Sequence, residues 1–308
     1  MEPQFQQRRW PGSGRKITEL HQSQIHTCMI DIVTVVFEPE IPALRAQAQS
    51  IALNCQDIGI RNIYVVLNDL EPVAAQIDPS WWGPLANSVL VIPRSAFSTP
   101  FVDDGWVSQQ VLKLLAASIS YNTYSMILDA KTMFVRRLDP NTIVDSSGRI
   151  QTGILPLYPV FEPAKKIVDD LFEMNLQRQV GPGGVPCIVH NDTVRMMIAE
   201  VTLRTKTSFP IWFQSQGVLT EFVLYSAFVQ HLCGDIGVLY DQHNHLGGII
   251  NVSHDEVDNW LIKINQMRKR ETLTVSVHRG AWAKLTAQQR QEYRDLLTQR
   301  GIEAAADL

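Results

Sequence analysis

Short β-branched runs alternate with helix-length stretches along the first half of the chain. Residues 29–37 form such a run and read as a buried strand. A helical stretch follows over residues 42–57, with Pro42 in its first turn and Gly59 past its end. Residues 62–67 and 89–93 give a second and a third strand. A helix over 104–120 then leads into a fourth strand at 124–129. This order predicts an α/β fold with a mostly parallel central sheet flanked by helices on both faces. Ligands of such sheets lie beyond the carboxyl ends of the strands. The rule points to Phe37-Glu38, Asn68-Asp69 and Asp129-Ala130-Lys131.

The second half is less regular. Helical patterns fall near 163–177, 191–204, 218–232, 255–270 and 285–300, and short strands near 186–189, 248–252 and 272–278. Residues 1–28 are polar and punctuated by proline and glycine, and read as a lead-in. No repeat or linker divides the remainder. The expectation is one domain over 29–308, in which 29–137 carries the ligand edge of the sheet and 138–308 covers the sheet.

Composition narrows the class. Of 308 residues, 45% are hydrophobic and 19% charged, an ordinary globular balance, and the formal net charge of −4 disfavours a polyanion such as nucleic acid as the main ligand. Cys28, Cys55, Cys187 and Cys233 are widely spaced, which suits reduced thiols rather than a zinc ribbon or a redox pair. The opening residues carry no apolar core like that of a signal peptide, and no apolar run approaches the roughly 20 residues that span a bilayer. The expected setting is the cytoplasm, with peripheral membrane association compatible.

Candidate chemistry concentrates in two segments. In residues 103–115, helical periodicity turns Val111, Leu114, Leu115 and Ile119 toward the core and gathers Trp106, Gln110 and Lys113 on a second stripe, next to Gln109. An aromatic plane, amides and an ammonium can hold a sugar or a diphosphate, whereas a surface helix solvates the same residues. In residues 127–134, Asp129 ends a buried strand, a position where a charge ordinarily has a partner.

Together these segments, Gly-Trp-x-x-Gln-Gln-x-x-Lys-Leu and then Leu-Asp-x-Lys-x-x-Phe, resemble an uncharacterised group of bacterial GT-A-type glycosyltransferases. More distantly they are similar to the glycogenin-like sugar transferases, whose strand ends in Leu-Asp-x-Asp. The resemblance covers about residues 30–280, and its sharp motifs lie in 103–134. It implies a transferase acting on a nucleotide-sugar donor and a hydroxyl acceptor, in bacterial surface polysaccharide or glycan synthesis. It also implies Mn²⁺ or Mg²⁺ at Asp129 as Lewis acid for the departing nucleotide. Here Lys131 stands where the second carboxylate would be. An ammonium repels a cation, so Lys131, with Lys113, is expected to supply the charge in a metal-independent site, and Asp129 to contact the ribose or donor sugar. By the same resemblance Thr34 to Glu38, Phe37 among them, line the base and ribose pocket, and Asn68 and Asp69 close its other side. A turn is the plainer role for Asn68-Asp69.

Glu221 has two readings. It begins a helix capped by Thr220, where the dipole favours it, or it faces the acceptor as general base with Tyr225 one turn on. His278 ends a strand before Arg279 and matches a late histidine that joins the metal site in the glycogenin-like enzymes; without metal, both residues can contact phosphate. His243 and His245, at i and i+2, read as a polar loop or as metal ligands. Asp192 reads as a cap after His190, residues 268–270 as a solvated helix end, and Trp81-Trp82 as local packing. Two other functions compete: a nucleotidyltransferase, which lacks here its glycine-rich phosphate loop after the first strand, and a binding or scaffold protein that performs no transfer. The missing G-x-G-x-x-G disfavours a dinucleotide oxidoreductase.

Overall fold

The computed structural model describes residues 29–68, 73–102, 104–145, 147–151, 154–177, 179–182, 185–241, 250–252, 260–269 and 272–308. Asp69, Asp103, His243 and His245 lie outside them. The first half alternates as its pattern predicts: β1 (Met29–Val36), α1 (Ile41–Asn54), β2 (Gly59–Leu67), β3 (Val89–Pro93), α2 (Gly105–Ile119) and β4 (Tyr124–Asp129). Then come β5 (Met133–Phe134), β6 (Ile154–Pro156), α3 (Glu162–Phe172), β7 (Gln179–Pro182) and β8 (Cys187–His190). The last part holds α4 (Asn191–Thr205), α5 (Phe209–Ser215), α6 (Glu221–Cys233), β9 (Ile250–Val252), α7 (Trp260–Arg268), β10 (Thr274–Val277), α8 (Arg279–Lys284) and α9 (Ala287–Thr298).

The main sheet has the order β3-β2-β1-β4-β8. Its first four strands run parallel, and β8 joins β4 antiparallel. β1 is central and buried on both faces after Met29, as expected for a strand covered by helices on two sides. Its connections leave in opposite directions, toward β2 and toward β4, so the crevice at their carboxyl ends is the topological switch point of the sheet. Val35 pairs with Asp129 and Val36 with Leu67, which puts Phe37, Asn68 and Asp129 at that one edge.

Between β2 and β3 the chain forms 3₁₀ turns where a parallel connection usually has an α-helix. Pro79, Gly83 and Pro84 account for this, since neither proline nor a glycine at φ 51° continues a helix. Trp82 is fully buried there against the sheet. Asp31, the one carboxylate inside β1, lies at the amino edge and accepts from Asn62 N (2.9 Å), Ser120 Oγ and Asn122 Nδ2 (both 2.5 Å). That network ties β1 to β2 and to the start of β4.

A second, smaller apolar cluster gathers around a three-stranded sheet of order β5-β10-β9. Met133, Trp260, Met267, Val275, Tyr293 and Leu297 fill it. Helix α1 belongs to both clusters: Leu44, Ala48 and Ile51 pack into the main core, and Ala46 into the small one. Among the described residues no helix is long and apolar enough to cross a membrane.

Helix α2 departs from its sequence pattern. Val111 and Leu114 are in the core, but Leu115 is only half-buried and Ile119 is exposed. Gln110 and Lys113 are buried instead, so the solvated-helix reading of that stripe does not hold for them. The reason is tertiary: α4, α5 and α6 pack over the side of α2 that a surface helix would give to water.

Candidate functional site

The site is built on the end of β4. Asp129 leaves the strand into a tight turn, closed by Thr132 N donating to Asp129 O at 2.9 Å. Gln47 of α1 fastens the turn from below, its Nε2 donating to the carbonyls of Asp129 (2.6 Å) and Thr132 (3.0 Å) while its Oε1 accepts from Thr34 Oγ1 at 2.9 Å. Thr34 is therefore sealed inside the sheet, a correction to its expected place in a base and ribose pocket. β1 is buried on both faces, and the Thr34 hydroxyl is spent on Gln47. Sequence reasoning passed over Gln47. Its signal was a polar residue between Leu44 and Ile51 on the core-facing stripe of an apolar helix.

The Asp129 carboxylate sits between two ammonium groups. Lys113 Nζ donates to Oδ1 at 2.8 Å, and Lys131 Nζ lies 3.4 Å from Oδ2. Gln109, one turn before Lys113 on α2, makes a longer contact of 3.5 Å to Oδ1. Lys113 also donates to Glu221 Oε1 at 2.9 Å, so one buried ammonium joins the end of β4 to the start of α6. Gln110 lies against the same residue, its Oε1 accepting from Glu221 N at 3.4 Å. Burial by itself would push the Lys113 ammonium down and the Asp129 carboxyl up. The opposite charges outweigh it, so Lys113 is held above its ordinary range, and Lys113 and Lys131 hold Asp129 well below the carboxylate range. For Glu221 burial wins: its carboxyl is raised, with Lys113 opposing the rise.

Glu221 heads α6, and Thr220 caps that helix by accepting from Val223 N at 3.2 Å. Its side chain is only 1% exposed, shut behind Lys113. Tyr225, one turn on, is buried too, and its hydroxyl accepts from His190 N at 3.0 Å.

The surroundings are drawn from the start of α2, the residues after β1, β2 and β3, and the start of α8. Trp106 is 48% exposed at the start of α2, beside the N-cap Asp104, whose carboxylate accepts from Trp106 N and Val107 N. Phe37 follows β1, and the Arg279 guanidinium of α8 stands 5.7 Å from its ring centre. His278 is exposed and caps α8, its Nδ1 accepting from Gly280 N at 3.1 Å. Glu38 is exposed and accepts from Gln76 Nε2 at 2.9 Å. Asn68 is buried and committed to holding α2 in place: Nδ2 donates to Gly105 O and Oδ1 accepts from Ser108 Oγ, each at 2.8 Å. Arg94, unnoticed in the sequence, donates to Asn68 O at 3.0 Å.

Glu40 was also passed over, two residues beyond the strand end that drew attention to Glu38. It stands at the N-cap of α1 without making a cap hydrogen bond. Its Oε2 is closed off from solvent and has no hydrogen-bond partner. Burial is the main influence on it, and Lys131, Asp129, Arg279 and Lys113 act on its charge in that order; its carboxyl is raised to about 7. The structure thus brings together Phe37, Glu40, Gln109, Lys113, Asp129, Lys131, Glu221 and Arg279.

These donors do not suit a divalent cation. An ammonium lies within 3.4 Å of each Asp129 oxygen, and among the described residues no three histidine, cysteine, aspartate or glutamate side chains converge. What they do suit is an anion held by Lys131 and Arg279 beside an aromatic rim.

The chain is similar to several solved glycosyltransferases. It is 14% identical to the WbbM bifunctional glycosyltransferase, with a TM-score of 0.46 over 82% of this chain and 46% of that one, so it spans under half the length of WbbM. It is 12% identical to the galactosyltransferase LgtC in complex with donor and acceptor sugar analogues (TM-score 0.44, 87% of this chain and 95% of that one). It is 9% identical to GlyE of Streptococcus pneumoniae TIGR4 (TM-score 0.43, 89% and 64%). Comparison with curated proteins gives no match. Residues 49–271 match a family described as a family of unknown function, DUF6492, and since they make up most of the chain, the protein belongs to that family.

Proposed function

We propose that this chain is a glycosyltransferase that moves a sugar from a nucleotide-sugar donor to a hydroxyl acceptor. One observation carries the reading: at the switch point of a parallel sheet, the carboxylate ending the strand β4 is clamped between Lys113 and Lys131. The donor diphosphate lies over Lys131 and Arg279. The face of Trp106 receives a planar or sugar ring, and Asp129 keeps lone pairs free to accept from a ribose or sugar hydroxyl. In the transfer, the acceptor oxygen bonds the anomeric carbon and its proton passes to an oxygen of the departing diphosphate. The anomeric carbon–phosphate oxygen bond breaks, and its electron pair stays on the diphosphate. Lys131 and Arg279 stabilise that developing charge, which is the larger part of what such a site contributes. Glu221, paired behind Lys113, serves to hold that lysine rather than to take the acceptor proton. The first half of the chain binds the donor, the later half faces the acceptor, and a bacterial surface glycan is the acceptor class implied by the motif resemblance.

A second reading, a nucleotide-sugar binder that performs no transfer, is favoured by the same Lys131, because it stands where a metal-binding carboxylate would be. Purified protein incubated with UDP-, GDP-, dTDP- and CMP-sugars, with Mn²⁺ and with EDTA, separates the two. Melting temperature reports binding by mass action, and released nucleotide reports turnover. The transfer reading expects one donor class to raise the melting temperature and to release nucleotide in EDTA. Binding without release supports the binder, and no binding by any donor removes both.

A further inference from the structure

Arg94 carries a charge that the proposed transfer leaves unused. It follows β3 directly and is only 8% exposed, yet no carboxylate among the described residues pairs with it. Its one hydrogen bond runs from Nη1 to the carbonyl of Asn68 at 3.0 Å, and the Phe101 ring centre lies 5.8 Å from the guanidinium carbon. Buried cations are ordinarily paired, so a guanidinium with neutral partners alone has donors left for something else. Its Nε and Nη2 are not sealed in, so both can meet a ligand. The bond to Asn68 sets the guanidinium over the end of β2. Along the sheet edge, Lys131 then follows β4, Phe37 follows β1, and Arg94 stands over β2. The ends of β4 and β2 are two strand spacings apart, about 10 Å, the reach of a nucleoside diphosphate from its phosphates to the far edge of its base. A further phosphate does not suit this place. The N-terminus of α2 beside Asn68, where an anion would bind, is already occupied by the Asp104 carboxylate.

We propose that Arg94 reads the base of the donor and selects guanine, its guanidinium donating from two nitrogens to O6 and N7. The inference rests on the donor-site reading above and names its substrate class, a GDP-sugar. A guanidinium is a rigid fork, and it is satisfied by two acceptors side by side. Guanine offers O6 and N7 in that arrangement. Adenine sets an amine beside N7, and thymine or uracil has a single carbonyl on that edge. Cytosine has adjacent acceptors only at O2 and N3, and O2 adjoins the bond to the ribose. With the phosphates over Lys131 and the ribose near Phe37, the edge turned to Arg94 is the one away from the ribose, which leaves guanine. The Phe101 ring and the Asn68 carbonyl hold the fork in one orientation before the base arrives.

The test is calorimetric titration of the whole chain in EDTA with GDP, UDP, CDP and ADP, and with 7-deaza-GDP, in which a C–H replaces the N7 acceptor. The wild type is expected to bind GDP about tenfold or more tightly than the other three bases, and to lose about tenfold with 7-deaza-GDP. Arg94→Lys keeps the charge but not the fork, and is expected to erase the preference, so that GDP falls to the level of the others. A residue that only held Asn68 would weaken all four nucleotides and keep the preference, and that result overturns the proposal. A wild type that prefers another base, or that binds 7-deaza-GDP as tightly as GDP, also overturns it and leaves the donor site standing. Failure of the wild type to bind any of the nucleotides overturns the donor site and the proposal together. Should Arg94→Lys not fold, the wild type decides alone: weaker binding of 7-deaza-GDP than of GDP supports the proposal, and equal binding overturns it.

Discussion

Lys113 and Asp129 meet across 2.8 Å at the end of the β4 strand, with the lysine nearly sealed from solvent. Helix α2 supplies the ammonium from well inside its length, so the contact fixes how the helix sits against the strand. The same nitrogen reaches Glu221, which makes the lysine a three-element joint between α2, β4 and α6. Replacing such a lysine strands the buried Glu221 and leaves Asp129 with Lys131 alone. Lys113→Met is expected to cost about 3–5 kcal/mol, as for other broken buried pairs. The double replacement Lys113→Met with Glu221→Leu should recover part of that loss. Urea unfolding of the single and double variants checks both statements, and a single variant as stable as the wild type would contradict the joint.

Lys131 tests the charge logic of the site directly. It is partly exposed, so Lys131→Asp should alter stability by about 1 kcal/mol or less. Its effect on ligands should be larger. The substitution places a carboxylate two residues from Asp129 and removes an ammonium, so nucleotide-sugar binding in EDTA should fall at least tenfold and become responsive to added Mn²⁺. Melting curves with and without Mn²⁺ and donor read this out. Unchanged binding in EDTA would show that Lys131 does not face the ligand.

Gln47 predicts a separation of stability from chemistry. Gln47→Leu keeps the apolar packing of α1 but leaves Thr34 and the carbonyls of Asp129 and Thr132 without their partner. The expected loss is about 1–3 kcal/mol, together with weaker donor binding because the turn bearing Asp129 and Lys131 loosens. Thr34→Val removes only the outer hydroxyl and should cost less, with donor binding unchanged. Denaturation midpoints and donor affinities for the two variants distinguish them.

Glu40 also predicts a stability profile independent of any ligand. Its folded-state value, about 7, lies above the ordinary 4.5, so the folded chain holds a proton that the unfolded chain releases. Stability from this group is full below about pH 4.5 and declines as pH rises through 7, reaching a deficit of roughly 2–3 kcal/mol by pH 8. E40Q should match the wild type near pH 4.5 and be the more stable protein at pH 8. Asp129 has the opposite sign: lowered in the fold, it adds stability above its ordinary value of 3.8 that disappears as pH falls through its depressed one. Urea unfolding across pH 3–8 in both proteins reads the two effects.

The periodicity of the chain carried the sheet almost entire. β1, β2, β3 and β4 fall where β-branched runs stand between helical stretches, because strands covered on both faces must be apolar throughout. The partner contacts were less legible. Lys113 and Gln110 look like the wet side of an amphipathic helix until α4, α5 and α6 cover it, and one sequence does not say which later helices will. Gln47 and Glu40 escaped for related reasons. Their importance lies in hydrogen bonds made, or missing, to residues such as Asp129, some eighty or more positions away. Thr34 lies two residues inside a strand that helices cover on both faces, and its hydroxyl is taken up by Gln47, a partner that no local pattern announces.

The Phe37–Arg279 contact has one more consequence. Arg279 reaches the rim only when β10 and α8 have docked against α1, so the anion site cannot be complete while the small cluster is loose. Donor affinity should therefore act as a gauge of that docking: damage at Trp260 or Tyr293, far from any ligand, should surface first as poor binding by a chain whose central sheet is still intact.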